Sequence, residues 1–161
     1  MTSMFTVSPK FVQVGAVLVS TKPKTAFNLN TYSSGSAVAK ALREAEYLKG
    51  NKELDDAIES IITQGLYTTA KGGRDRAARI AVILIDGPPT DWARTLPLAK
   101  RLRNEGVRVV TIGIGNIQMK KLTGLSGNTE YVFASPSYEL LKFTKELMYQ
   151  TLCEATKLPR P

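Results

Sequence analysis

The chain has 161 residues, 43% hydrophobic and 22% charged, which suits one domain with a packed core and is too regularly apolar for a disordered chain. Its 22 Lys and Arg against 14 Asp and Glu give a charge of +8 that attracts acidic polymers, and a mean hydropathy of -0.11 without a long apolar run excludes a membrane-spanning helix. With no histidine and one cysteine, the sequence excludes imidazole bases, Ser-His-Asp and Cys-His nucleophile systems, histidine metal ligands, an intrachain disulfide and a thiolate zinc site.

Phe11 to Ser20 is a β-branched apolar run that predicts a strand. Thr21–Lys24 predicts a turn, since Pro23 fixes φ and removes a ladder donor, and the alternation over Thr25–Tyr32 predicts a hairpin partner. Ser33 or Ser34 can cap a helix to about Leu48 with Val38, Leu42 and Ala45 on one face. Lys49-Gly-Asn51 breaks it, and a second helix is predicted from about Glu53 to Gln64. After a polar connection at Lys71–Arg76, a strand is predicted over Arg79–Ile85, in which Ile80–Ile85 are apolar on successive residues, the pattern of a strand inside a parallel sheet covered on both sides. A helix over Trp92–Asn104, ended by Gly106, leads to a buried strand over Val107–Ile114. A short helix over Gln118–Leu125, an edge strand over Glu130–Ala134 and a closing helix from Ser137 to about Ala155 complete the order, before a disordered tail at 157–161. This alternation predicts an α/β fold: a doubly wound, mostly parallel sheet flanked by helices on both faces, with one antiparallel edge strand, in one domain over 1–156.

In open parallel sheets ligands bind beyond the carboxyl ends of the strands, where Asp86 directly follows Arg79–Ile85. It reads either as a metal ligand or as a strand-end carboxylate accepting backbone N–H bonds. Gly113-Ile-Gly115 follows a strand and precedes a helix, but Gln118 stands where a dinucleotide fingerprint has its third small residue, so tight strand-to-helix packing is the competing explanation. Neither a phosphate loop after Gly72-Gly73 nor a Gly-x-Ser-x-Gly elbow occurs. Basic residues gather at Lys22 and Lys24, at Arg74, Arg76 and Arg79, at Lys100, Arg101 and Arg103, and at Lys120 and Lys121. They are solvated helix faces or binding patches for acidic polymers. Aromatics do not interleave with them, which argues against stacking on single-stranded nucleic acid.

The segments Val-Gln-Val-Gly-Ala-Val, Phe27–Tyr32, Tyr47–Asn51, Leu84-Ile-Asp-Gly87 and Val107–Asn116, closed by Tyr131-Val-Phe133 and a final helix, together resemble the von Willebrand factor A domain. The likeness is strongest to its extracellular-matrix subgroup, found in type VI collagen-like and matrilin-like proteins. The resemblance implies a Rossmann-like fold and a non-enzymatic adhesion or matrix-interaction module, often built around a metal ion-dependent adhesion site. That site takes an Asp-x-Ser-x-Ser, a Thr and a later Asp; Asp86 matches the last, Lys52 stands at the Thr position, and no Asp-x-Ser-x-Ser occurs. The resemblance therefore implies a degenerate site that Lys52 blocks and that takes no magnesium or other cofactor.

The same resemblance reads Met1–Pro9 as the end of the family's first helix, so that the family's first strand and most of that helix are missing; truncation of a longer sequence is the expected reason, with direct closure of the flanking strands and strand donation from another chain as the alternatives. Cys153 is then either a free thiol or half of a disulfide outside this chain. Met1–Pro9 has no secretory leader pattern, so a secreted, matrix location follows from the resemblance alone. Matrix proteins or acidic glycans are the expected partners, without membrane insertion, and Arg74, Arg76, Arg79, Lys100 and Arg103 are the candidate ligand-binding residues. The competing expectation, from the charge and Gly113-Ile-Gly115, is an intracellular nucleotide- or nucleic-acid-binding α/β protein.

Overall fold

The computed structural model describes residues 4–157. The chain divides into two compact units, Met1–Ala77 and Ala78–Pro161.

In the first unit, residues 1–3 of the helix end expected at Met1–Pro9 lie outside the described residues and Met4 stands in a 3₁₀ turn, but the helix does not run on to Pro9. The chain instead doubles back in a tight turn: Val7 and Val12 form a parallel bridge, and the N–H of Val12 donates to the Thr6 carbonyl at 3.1 Å. Pro9, with φ fixed and no N–H to satisfy, suits that turn better than a helix interior. Strands β1 (Ala16–Leu18) and β2 (Lys24–Phe27) pair antiparallel as a sheet of their own, rather than as the edge of a larger one.

Both strands are shorter than their apolar runs because side chains capture the backbone at the ends. The hydroxyl of Ser20 donates to the Lys22 carbonyl at 2.7 Å, and the Asn28 N–H donates to Thr31 Oγ1 at 3.0 Å. Such local bonds compete with a ladder. Helix α1 (Gly35–Arg43) is capped by Ser34, whose hydroxyl accepts from the Ala37 N–H. Its Val38 joins Val7 and Phe27 in a core, with Val14, Ala16, Tyr32 and Ala41 packed around them and Phe27 edge-on to Tyr32 at 5.0 Å.

Helix α1 stops five residues before Leu48, and Leu42 is exposed, because residues 44–51 are held along the β1–β2 turn. The Lys24 ammonium meets Glu46 at 2.7 Å, and the Asn51 N–H donates to Thr21 Oγ1 at 2.8 Å. Helix α2 (Leu54–Thr63) follows, burying Leu54, Ala57 and Ile58.

The second unit holds a three-stranded parallel sheet in the order β3 (Arg79–Ile85), β4 (Val107–Ile114), β5 (Val132–Ser135). Its helices are α3 (Trp92–Asn104), capped by the Asp91 carboxylate, α4 (Met119–Ser126) and α5 (Lys145–Lys157). Every residue of β4 is buried. Helices α3 and α4 pack on one face, where Thr111 donates its hydroxyl to the Leu122 carbonyl at 3.3 Å; a guanidinium N–H of Arg108, projecting to the other face, donates to the Ala155 carbonyl of α5 at 2.5 Å.

The sequence reading of β3 as a strand covered on both faces is corrected. Ile83 and Ile85 are buried with the α3–α4 layer, but Val82 and Leu84, in register with Val110 and Ile112 on the α5 face, are 42% and 45% exposed. The central, doubly covered strand is β4, since β3 pairs only with β4 among the described residues. No helix of the described residues is long and apolar enough to cross a membrane. The tail expected to be disordered lies, from residue 158 on, outside the described residues.

Candidate functional site

The carboxyl ends of the three parallel strands form a rim. Strand β3 delivers Asp86 there, exposed, and the Tyr138 hydroxyl donates to its Oδ2 at 2.9 Å. The Tyr138 hydroxyl titrates above its ordinary value of 10.0, first because burial disfavours the phenolate, then because Asp86 holds its proton and repels the resulting charge. At the ends of β4 and β5 an open groove of about 600 Å³ is lined by Gly115, Asn116, Ala134, Ser135 and Pro136. It is shaped by the Gly115 N–H donating to the Ser135 carbonyl at 2.8 Å and by the Ser135 hydroxyl donating to the Ser137 carbonyl at 2.8 Å.

Magnesium requires near-octahedral oxygen ligation, usually with one or two carboxylates. The rim residues named above include one carboxylate, one of whose oxygens already accepts a phenolic hydrogen, and the groove is otherwise neutral. Among the described residues no group of three or more His, Cys, Asp or Glu gathers to hold a metal. Lys52, exposed, precedes α2 in the first unit, with its carbonyl accepting from the Leu54 N–H at 2.8 Å, while Asp86 belongs to the second.

The five basic candidates have unlike settings. The Arg74 guanidinium spreads across the carbonyls of Pro9, Lys10 and Phe11 at 3.1, 3.0 and 2.5 Å, pinning the Thr6–Val12 turn. Arg103 donates to the carbonyls of Gly124, at 3.2 Å, and Leu125, and so caps the end of α4; its partial burial pulls its pKa down from the ordinary arginine value. Arg79 is half-buried at the start of β3, its Nε without a hydrogen-bond partner. Arg76 and Lys100 are exposed.

Helices α3 and α4 pack together and bring exposed Arg94, Lys100 and Arg101 onto the same layer as Lys120 and Lys121. The Lys121 ammonium stands 5.5 Å from the centre of the Trp92 ring. Sequence reasoning located Asp86 but missed Tyr138 and the Trp92–Lys121 contact. For Tyr138 the signal was available in principle, because it follows β5 as Asp86 follows β3.

Gly113 is a packing position: a Cβ there would meet Leu122 Cδ1 at 2.7 Å. The strand-to-helix approach explains Gly113 without a nucleotide. Across residues 1–147 the chain matches the model of the von Willebrand factor type A domain.

The chain belongs to that family.

The VWA chain is 33% identical over 155 residues to von Willebrand factor A domain-containing protein 2 of Xenopus laevis, covering 96% of this chain and 19% of that protein. It is 31% identical to the human collagen alpha-1(XXI) chain and 29% identical to the human collagen alpha-5(VI) chain, covering 98% and 88% of itself but 16% and 5% of them. This VWA domain thus spans less than a fifth of each of these relatives. Among solved structures, the proximal thread matrix protein 1 of mussel byssus superimposes with a TM-score of 0.86 at 25% identity over 94% of this chain and 40% of that one. The same mussel protein, at a TM-score of 0.80 and 26% identity over 88% of this chain and 36% of that one, has also been solved with zinc in its metal ion-dependent adhesion site.

Proposed function

We propose that residues 1–156 act as one non-enzymatic VWA module of the extracellular matrix, binding matrix proteins or acidic glycans without a divalent metal. The relatives in matrix proteins support the class of function. The observation that carries metal independence is at the rim, where one oxygen of the Asp86 carboxylate already accepts the Tyr138 hydroxyl at 2.9 Å. A lysine at position 52 agrees with this reading, since an ammonium in place of the family's threonine favours exclusion of a cation.

The charge of +8 and the exposed cations of α3 and α4 support an acidic glycan as ligand. Lys100 belongs to that proposed surface, which Arg103 supports through the helix end it holds in place; Arg79 at the start of β3 and, in the first unit, Arg76 and the turn held by Arg74 are proposed as separate contacts for the ligand. The test is retention on immobilised heparin. Elution that moves earlier with salt, and is equal in EDTA and in magnesium, is expected; loss of retention on chelation refutes metal independence.

We also propose that the side of β3 left unpaired among the described residues is where a strand from another chain would pair. Exposed Val82 and Leu84 support this, because an added element would cover them and extend the parallel ladder. Val82→Asn and Leu84→Asn, which alter no charge, should abolish capture of a β-branched apolar peptide while leaving heparin retention unchanged. Undiminished capture by both variants refutes the idea.

A further inference from the structure

The residues leading into and along α5 carry an apolar ridge that is exposed among the described residues. Leu140 is 43% exposed, Phe143 74% and Leu147 58%. Leu140 and Phe143 lie in a 3₁₀ turn (Leu140–Thr144), where side chains three apart eclipse, and Leu147 lies one α-turn further on. The buried side of α5 is a different stripe, Met148, Leu152 and Ala155. Three large side chains aligned and exposed beside a satisfied core stripe are more than scattered surface apolarity.

The ridge runs into a charged recess. Along the same flank of α5, one and two turns beyond Leu147, Gln150, Thr151 and Glu154 line a groove of about 260 Å³ whose far wall is Glu130 and Tyr131. Two carboxylates and a phenol ring line it, and no cation is among its lining residues. Glu154 is engaged by Lys157 at 2.6 Å, but both side chains are 67% exposed, and such pairs contribute little. Asn128 holds Glu130 Oε2 at a long 3.4 Å. Both acids can therefore turn to a better donor.

The geometry points to a docking surface for an amphipathic helix of a partner protein that seats apolar residues on Phe143 and Leu147 and an arginine in the Glu130–Glu154 recess. The spacing sets the motif. From Leu147 to Glu154 is seven residues of helix, about 10 Å at about 1.5 Å per residue, so the arginine follows the apolar anchor by two turns. A planar guanidinium can take both carboxylates and lie on Tyr131, which an ammonium does less well. A second copy of this chain is disfavoured by its own +8 charge. The surface is separate from the basic layer of α3 and α4 and calls for a partner of the opposite sign.

The probe is a fluorescein-labelled designed helix with a leucine stripe and an arginine two turns on, titrated against the whole chain by anisotropy. A counterpart with glutamate for arginine is the control. The arginine helix should bind at least about tenfold more tightly than the glutamate helix. Phe143→Ser with Leu147→Ser, and separately Glu130→Gln with Glu154→Gln, should each weaken it by about tenfold, with melting temperatures unchanged because all four side chains lie at the surface. Equal affinity for the two helices overturns the proposal, as does indifference to the glutamate substitutions. Sedimentation of the unmodified chain as a dimer that Phe143→Ser with Leu147→Ser dissociates would overturn it in favour of self-association.

Discussion

Replacing Gly113 with alanine separates a packing role from a ligand role. The new methyl would stand 2.7 Å from Leu122 Cδ1 and 3.2 Å from Cδ2, and Leu122 is fully buried, so its tip cannot swing into solvent. Overpacking of this kind costs about 1–3 kcal/mol, and the stiffer unfolded chain returns about 0.4–1 kcal/mol, so Gly113→Ala should destabilise the protein by about 1–2 kcal/mol. For a chain of this size that lowers the melting temperature by roughly 2–8 °C, readable by calorimetry or far-ultraviolet dichroism. Leu122→Val in the same background should recover part of the loss, making the double variant more stable than the sum of the two changes. A Gly113→Ala protein as stable as the parent, or a cycle with no coupling to Leu122, would refute the packing argument. So would stabilisation of the parent by millimolar NAD that Gly113→Ala abolishes, which would return the intracellular nucleotide-binding reading to favour.

Three further outcomes follow from named contacts. Arg103→Ala should cost about 1–3 kcal/mol, because the Gly124 and Leu125 carbonyls lose a charged donor, whereas Lys100→Ala should leave stability unchanged and shorten heparin retention; urea unfolding and elution salt measure the pair. Arg74→Gln should loosen the Thr6–Val12 turn, seen as faster trypsin cleavage after Lys10, with the second unit's amide exchange unchanged. Asp86→Asn should bring the Tyr138 phenol back toward 10.0 without reaching it, since burial is the larger cause of its elevation. The folded-state pKa lies above the unfolded one, so the associated stability is fully present below about pH 10 and is lost as pH rises through the folded value; tyrosinate absorbance of Asp86→Asn against the parent, with Tyr138→Phe as blank, measures the change.

The elements from Arg79 to Ser135 were legible because their hydrophobic periods are long and their ends are marked: Asp91 caps α3, Gly106 follows it, and Gly127 takes the left-handed position after α4. The hairpin was overdrawn because an apolar run says nothing of hydroxyls such as Ser20 and Thr31 that take the backbone at its ends. The closing helix starts later than its apolar pattern predicts, because Leu140–Thr144 takes a 3₁₀ turn before α5 begins at Lys145. The two faces of β3 could not be told apart, because exposure of Val82 and Leu84 depends on which neighbours flank the strand and not on its own residues.

Strand-end logic located Asp86 at the rim. Its partner Tyr138 was hidden by a separation of 52 residues, and the commitments of Arg74 and Arg103 to carbonyls 63–65 and 21–22 residues away were hidden for the same reason. Charge count identifies cations but not which of them are occupied.

Strand β4 is buried along its whole length, paired with β3 over Val107–Gly113 and with β5 over Thr111–Ile114. Its amides would therefore exchange with deuterium only when the second unit opens as a whole, which makes Val109 to Ile112 the natural reporters of that opening. Thr111 settles its hydroxyl on the Leu122 carbonyl, but a polar side chain introduced at Val109, Val110 or Ile112 would have no solvent to turn toward, so a survey of tolerated substitutions should thin most sharply there.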